Sequence, residues 1–166
     1  MQVKPKDFNP DIHEKFKGLS VMQPYAEYIR TGEKPLELRN HNTNYRGDVV
    51  ICSTAKFVDG FQSSCTLALV ELYGVKKVSE LSPEELKSTK AEGKVLERYK
   101  DGFAWQLRNP RPLIEFPVKG QLGLFTLVFT KDCIMPYPTV AKLIELPIRK
   151  QKLGLRRFLL RLIENL

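Results

Sequence analysis

Pro35-Leu36-Glu37-Leu38-Arg39-Asn40, then Asn42-Thr43-Asn44-Tyr45-Arg46-Gly47, then Asp48-Val49-Val50-Ile51-Cys52-Ser53-Thr54: within one short stretch the chain alternates, turns and runs apolar. The first piece places Leu36 and Leu38 on one side of an extended segment and Glu37 and Arg39 on the other, the period of two that marks a half-buried strand. The second piece is a turn by composition. The third is apolar and β-branched throughout, which predicts a strand near the centre of a sheet. Working outward, residues 18–22 predict a short first strand. Gln23-Pro24 then opens a short helix, with Tyr25, Ala26, Tyr28 and Ile29 at helical spacing and Gly32 as its stop. Residues 64–75 and 122–130 are further strand runs, and 103–107 with 112–117 supply shorter ones. About six strands with short flanking helices make an α+β chain, and their order suggests a small β-barrel.

Residues 79–100 are charged and helix-friendly, with Ser82 placed to cap and Pro83 at the first helical position, and are expected as a surface excursion. Residues 1–17 are polar, carry two prolines and predict an arm. Beyond Pro138, residues 139–146 and 153–166 predict helical pieces broken at Pro147. The second of these puts Leu155, Leu159, Leu162 and Leu166 on one stripe beside Arg156, Arg157 and Arg161. The expected organisation is an arm over 1–17, a barrel over 18–136 and a basic helical tail over 137–166.

The 166 residues are enough for one domain, and 42% hydrophobic with 28% charged residues excludes collagen, coiled-coil and extended disorder. No apolar run approaches the roughly 20 residues of a membrane span, and the charged first segment has no signal-peptide core, so a cytoplasmic protein is expected. Cys52, Cys65 and Cys133 are odd in number and widely spaced, which argues for reduced, buried thiols. His13 and His41 lack acidic or cysteine companions at ligand spacing and are expected at the surface. Glycine-rich phosphate loops are missing. Neither a metal nor a cofactor is expected.

Charge is more telling. Twenty-seven basic against nineteen acidic residues give +8 and a pI near 9.4, which points to an acidic partner such as nucleic acid. Seven basic and two acidic residues fall in 137–166, a net of +5, which leaves +3 for everything before. The one concentration of polar and aromatic residues with chemical potential is Gln23, Tyr25, Tyr28, Lys34, Glu37, Arg39, Asn40, Tyr45, Arg46, Ser53 and Lys56. By residue type alone, Glu37 and Arg39 equally describe an ion pair on a solvated face, worth about 0–1 kcal/mol. Trp105, as the sole tryptophan, is expected in the core.

Several of these residues stand in a familiar order. Leu19-Ser20-Val21-Met22-Gln23-Pro24-Tyr25-Ala26, Gly32-Glu33-Lys34-Pro35-Leu36-Glu37-Leu38-Arg39, Tyr45-Arg46-Gly47 and Ile51-Cys52-Ser53-Thr54-Ala55-Lys56 resemble the ASCH domain family. Gly102-Phe103-Ala104-Trp105-Gln106-Leu107 and Pro117-Val118-Lys119-Gly120-Gln121-Leu122-Gly123-Leu124-Phe125 resemble its closing segments. The resemblance spans roughly residues 18–130 and leaves out the tail. It implies a PUA-like β-barrel with a cleft, lined by Lys34, Glu37 and Arg39, for RNA or a nucleotide-like ligand. In such a cleft Lys34 and Arg39 would neutralise phosphate, Glu37 would accept from an amine or sugar hydroxyl, and Tyr25, Tyr45 or Trp105 would stack on a base. Gln23, Arg46, Ser53 and Lys56 complete the expected contact set. Some members of the family are hydrolases of N-acylated cytidine that use a Lys, a Thr and a Glu. Here Glu37 holds the position of that Thr, so the alternative is a hydrolase of an acylated nucleoside or of RNA with Lys34 or Glu37 as base. A third alternative is an adaptor whose C-terminal helix docks into a partner.

Overall fold

The computed structural model describes residues 7–113 and 115–130; the tail, its two expected helices and Cys133 lie outside the described residues. In chain order the elements are β1 (His13–Val21), α1 (Tyr25–Arg30), β2 (Leu36–Arg39), β3 (Gly47–Ser53) and β4 (Thr66–Lys77). They continue with α2 (Pro83–Ser88), α3 (Gly93–Arg98), β5 (Phe103–Pro112) and β6 (Leu124–Thr130). The six strands form one mixed sheet in the order β2-β5-β4-β3-β1-β6, with β1 and β3 parallel and every other pair antiparallel.

The apolar run of β3 is buried on both faces. Val49 and Ile51 join Leu19, Val21, Trp105 and the α1 residues Ala26 and Ile29, while Val50 and Cys52 join Leu113, Val118, Phe125, Leu127 and Phe129 on the opposite side. A strand covered twice has no polar face, which is why its sequence does not alternate. Cys52 and Cys65 are free and buried, and burial pushes their thiols up to about 12 and about 11.

Several expectations are revised. β1 begins at His13, five residues before Gly18, so the end of the expected arm is a sheet strand paired with β6. His13 is accordingly buried, its Nδ1 accepting from the Asn9 backbone N–H at 2.9 Å, whereas His41 is exposed. β5 is one ten-residue strand in place of two short ones, and Pro117 forms only an isolated bridge with Cys65. No ladder joins β2 to β6 among the described residues, so the sheet is open and the expected barrel is not closed by hydrogen bonds. Lys34 Nζ donates to the carbonyl of Leu36, which points to the unpaired side of β2 and so takes an acceptor that a closing strand would use. No described helix is long and apolar enough to cross a membrane.

The largest revision concerns residues 78–102. Ser82 does cap α2, in a reciprocal capping box with Glu85, and Pro83 opens the helix. The segment is more than a surface excursion, because its Val78, Leu81 and Ala91, with partly buried Leu86, Val95, Leu96 and Tyr99, cover Leu36, Leu38 and Ala104. It returns to the sheet through Gly102, whose Cα passes so close to β2 that an added Cβ would sit 2.5 Å from the Arg39 carbonyl oxygen. Gly102→Ala should therefore force backbone apart and destabilise by about 1–3 kcal/mol, lowering Tm by roughly 2–12 °C at this chain length. Thermal unfolding followed by circular dichroism checks this, and an unchanged Tm would show that the return strand is free to shift.

Candidate functional site

The site begins where α1 stops. Gly32, at φ +83°, takes the left-handed conformation that ends a helix cheaply only for glycine, and its N–H bonds the Ile29 carbonyl. The chain reverses there, the Lys34 N–H bonds the Tyr28 carbonyl, and the Lys34 side chain enters the protein. The period-two alternation of β2 then sets Leu36 and Leu38 against residues 78–102, and Glu37 and Arg39 on the opposite face. That second face is not solvated as a plain surface ion pair would be, since Glu37 is only 8% exposed.

Three charges meet in this space. Lys34, 3% exposed, donates to the carbonyls of Leu36 at 2.6 Å and Thr89 at 2.5 Å, and lies 3.4 Å from Glu37 Oε2. Glu37 Oε1 is 3.1 Å from Arg39 Nη2, which also donates to the Ser20 carbonyl at 2.8 Å. The Arg39 guanidinium stands 5.8 Å from the ring centre of Trp105, and the Lys34 ammonium 5.4 Å from that of Tyr25. Burial pushes the Lys34 ammonium below its ordinary range, and the Glu37 carboxylate opposes that shift. Lys34 thus ties Glu37 to the Thr89 turn, through two backbone carbonyls and one ion pair.

Around this floor is a small cleft, about 90 Å³, walled on one side by Ser20, Val21, Met22 and Tyr25 and on the other by Ala91, Val95 and Tyr99. It is well below the roughly 300–1,000 Å³ of a site that encloses a drug-sized ligand, so it suits one ring or one substituent. Arg39, a lining residue, has its Nε buried with no hydrogen-bond partner among the described residues, a charged donor left unused beside the cleft. The cleft thus combines a carboxylate acceptor, an unused guanidinium donor and two phenol rings. Burial, followed by Glu37, raises the Tyr25 phenol above its ordinary value, so that its hydroxyl stays protonated at neutral pH.

Five expected contact residues lie outside this cleft. Gln23 is buried and structural, with Oε1 accepting from the Glu27 N–H at the start of α1 and Nε2 donating to the Gln62 carbonyl. Ser53 Oγ accepts from the Cys65 N–H, stitching the end of β3 to the start of β4. Tyr45 leans on the core and donates its hydroxyl to the Asp48 carbonyl at 2.8 Å, while exposed Arg46 donates to the carbonyls of Thr43 and Tyr45. Lys56 is exposed on the 54–64 loop and does not line the cleft. Trp105 is fully buried, with its indole N–H on the His41 carbonyl at 3.1 Å, so it belongs to the core and cannot stack on a ligand. The residues that sequence reasoning missed are Met22, Thr89, Ala91, Val95 and Tyr99. The apolar positions at 81, 86, 91, 95, 96 and 99, set within a charged segment, were the signal that pointed to Ala91, Val95 and Tyr99.

Known proteins share this architecture. No curated protein matches the sequence. Among solved structures, a serine-to-alanine variant of the ASCH protein from Zymomonas mobilis is 14% identical and superposes with a TM-score of 0.55, over 78% of this chain and 94% of that one. A tyrosine-to-phenylalanine variant of that protein, also 14% identical, gives a TM-score of 0.55 over 80% of this chain and 99% of its own. At that identity the likeness speaks for the fold. The family model for the ASCH domain matches residues 19–117, which include the whole of α1, β2 and the 78–102 wall. With its motif residues gathered in one cleft and most of its length matched, the chain belongs to the ASCH domain family.

Proposed function

We propose that this protein is an intracellular RNA-binding module of PUA-like type, and that the cleft over β2 receives one base of the RNA or of a nucleotide-like ligand. The observation that carries the reading is the buried, unpartnered Arg39 Nε beside Glu37, in a cleft with Tyr25 and Tyr99 on its walls. The Watson–Crick edge of every nucleobase presents donors next to acceptors, and an adjacent carboxylate and guanidinium answer both. The cleft's size fits a ring and not a whole nucleotide, so the sugar and phosphate remain outside it. Lys34 acts as the positioning residue for Glu37. Its two bonds to backbone carbonyls and its ion pair with Glu37 weigh against the hydrolase alternative in which Lys34 is the base.

Arg39→Ala should weaken binding of AMP and UMP by about 1.5–3 kcal/mol, the loss of a charged hydrogen bond. Tyr99→Leu keeps the apolar packing but removes the ring, and should cost about 1–3 kcal/mol if a base stacks there. Calorimetric titration of both variants checks these values; affinities equal to wild type would remove the cleft from the binding function. Mass analysis of acylated and free nucleosides after incubation should show no conversion, and turnover lost in Glu37→Gln would establish the hydrolase instead.

Because more than half of the net charge lies in 137–166, affinity for a single-stranded RNA should fall steeply with salt. Replacing Arg156, Arg157 and Arg161 together by glutamine in the full chain should lower the slope of log affinity against log salt by about 2, at roughly 0.7 for each phosphate that is no longer neutralised. Fluorescence anisotropy over a salt series measures it. A slope unchanged by the triple variant would take the tail out of RNA binding.

A further inference from the structure

The 54–64 loop joins β3 to β4, and its first residue is tied to a residue of the cleft lining. The Thr54 N–H bonds the carbonyl of Val21, a lining residue, at 3.0 Å, and Gln23 Nε2 bonds the carbonyl of Gln62 at 2.9 Å. The loop is closed by Ser64 N–H on the Thr54 carbonyl at 3.1 Å and carries a turn from Val58 to Phe61. On this braced frame Phe57 is 75% exposed, next to exposed Lys56, and Met22 of the cleft lining is itself exposed on the strand end to which the loop is tied. Holding a phenylalanine in water forfeits the burial that normally places it inside, and the bonds at both ends of the loop show that loose chain is not the cause.

We propose that Phe57 is a second stacking platform, for the base next to the one in the cleft, and that Lys56 contacts the phosphate between them. This rests on the reading of the cleft as a base site. It deepens that reading by naming the ligand class as single-stranded RNA of two or more nucleotides, in preference to a free mononucleotide. The chemistry is that of single-strand recognition, in which exposed aromatic faces take successive bases without sequence preference and lysines follow the backbone. A duplex would bury the faces that Phe57 needs. The cleft accounts for one ring, and Phe57, exposed on the loop whose first residue is bonded to Val21 of the cleft lining, accounts for the next.

The test compares two probes, a ten-nucleotide oligoadenylate and AMP, on wild type, Phe57→Ala, Phe57→Tyr, Lys56→Gln and Arg39→Ala. Phe57→Ala should weaken the oligonucleotide about 5- to 150-fold, the equivalent of about 1–3 kcal/mol per stacked base, and leave AMP unchanged. Phe57→Tyr should retain oligonucleotide affinity, because a phenol stacks as a phenyl does, and Lys56→Gln should reduce its salt dependence. Equal oligonucleotide affinity in Phe57→Ala, with both probes weakened in Arg39→Ala, would overturn the loop's role and leave the cleft standing. Wild type that binds neither probe would overturn both. Phe57→Ala that abolishes self-association in sedimentation, with RNA binding intact, would assign the exposed ring to a second copy of the chain and overturn the proposal.

Discussion

An ammonium taken out of water needs an acceptor for each of its protons, and the architecture around Lys34 supplies them. Removing such a charge from solvent costs several kcal/mol unless its protons are matched and an opposite charge lies close. The Leu36 carbonyl, the Thr89 carbonyl and the Glu37 carboxylate provide that match, and they come from three positions along the chain. Lys34 thereby ties the β2 edge to the turn after α2 and holds residues 78–102 against the sheet. With that wall in place Glu37 is enclosed, and Arg39 is drawn between Glu37 and the Ser20 carbonyl. The cleft is the space left between that wall and the end of β1.

The same constraint explains what the cleft offers to a ligand. Of the three charged groups, Lys34 is fully committed to protein acceptors, Glu37 is shared between two cations, and Arg39 keeps a buried N–H unused. In the proposed function, recognition therefore falls to Arg39 and Glu37, with Lys34 keeping their geometry fixed. With two cations sharing one carboxylate, the cleft floor keeps one positive charge in excess. In the proposed function, steering of a polyanion is shared with basic side chains outside the cleft, most of the net charge being held after residue 136.

Much of this was legible in the sequence, and the limits follow from physical causes. The alternation of Leu36-Glu37-Leu38-Arg39 and the unbroken apolar run of β3 gave their strands, because each pattern has one geometry that buries it. Ser82-Pro83 gave the start of α2, because capping is local chemistry. The role of 78–102 was hidden, since its apolar residues are spread through a charged segment and their partners on β2 and β5 are distant in sequence. Gln23 and Ser53 carry the side chains expected of contact residues, but both meet backbone groups that tie strand and helix ends together. Nothing in a residue type distinguishes those two uses. Closure of the sheet was also beyond reach, because it depends on whether β2 offers a free edge, and Lys34 takes an acceptor on that edge.

The central claim is that the unused Arg39 donor meets the ligand. The Nε–Hε resonance of Arg39 in a ¹H–¹⁵N spectrum, assigned by its loss in Arg39→Lys, reports on it directly. On titration with a ten-nucleotide oligoadenylate the account predicts that this signal shifts to saturation with the same dissociation constant as the anisotropy, together with the backbone amides of Val21, Tyr25 and Tyr99. A saturating titration that leaves the Arg39 Nε–Hε signal in place while amides elsewhere move would contradict it.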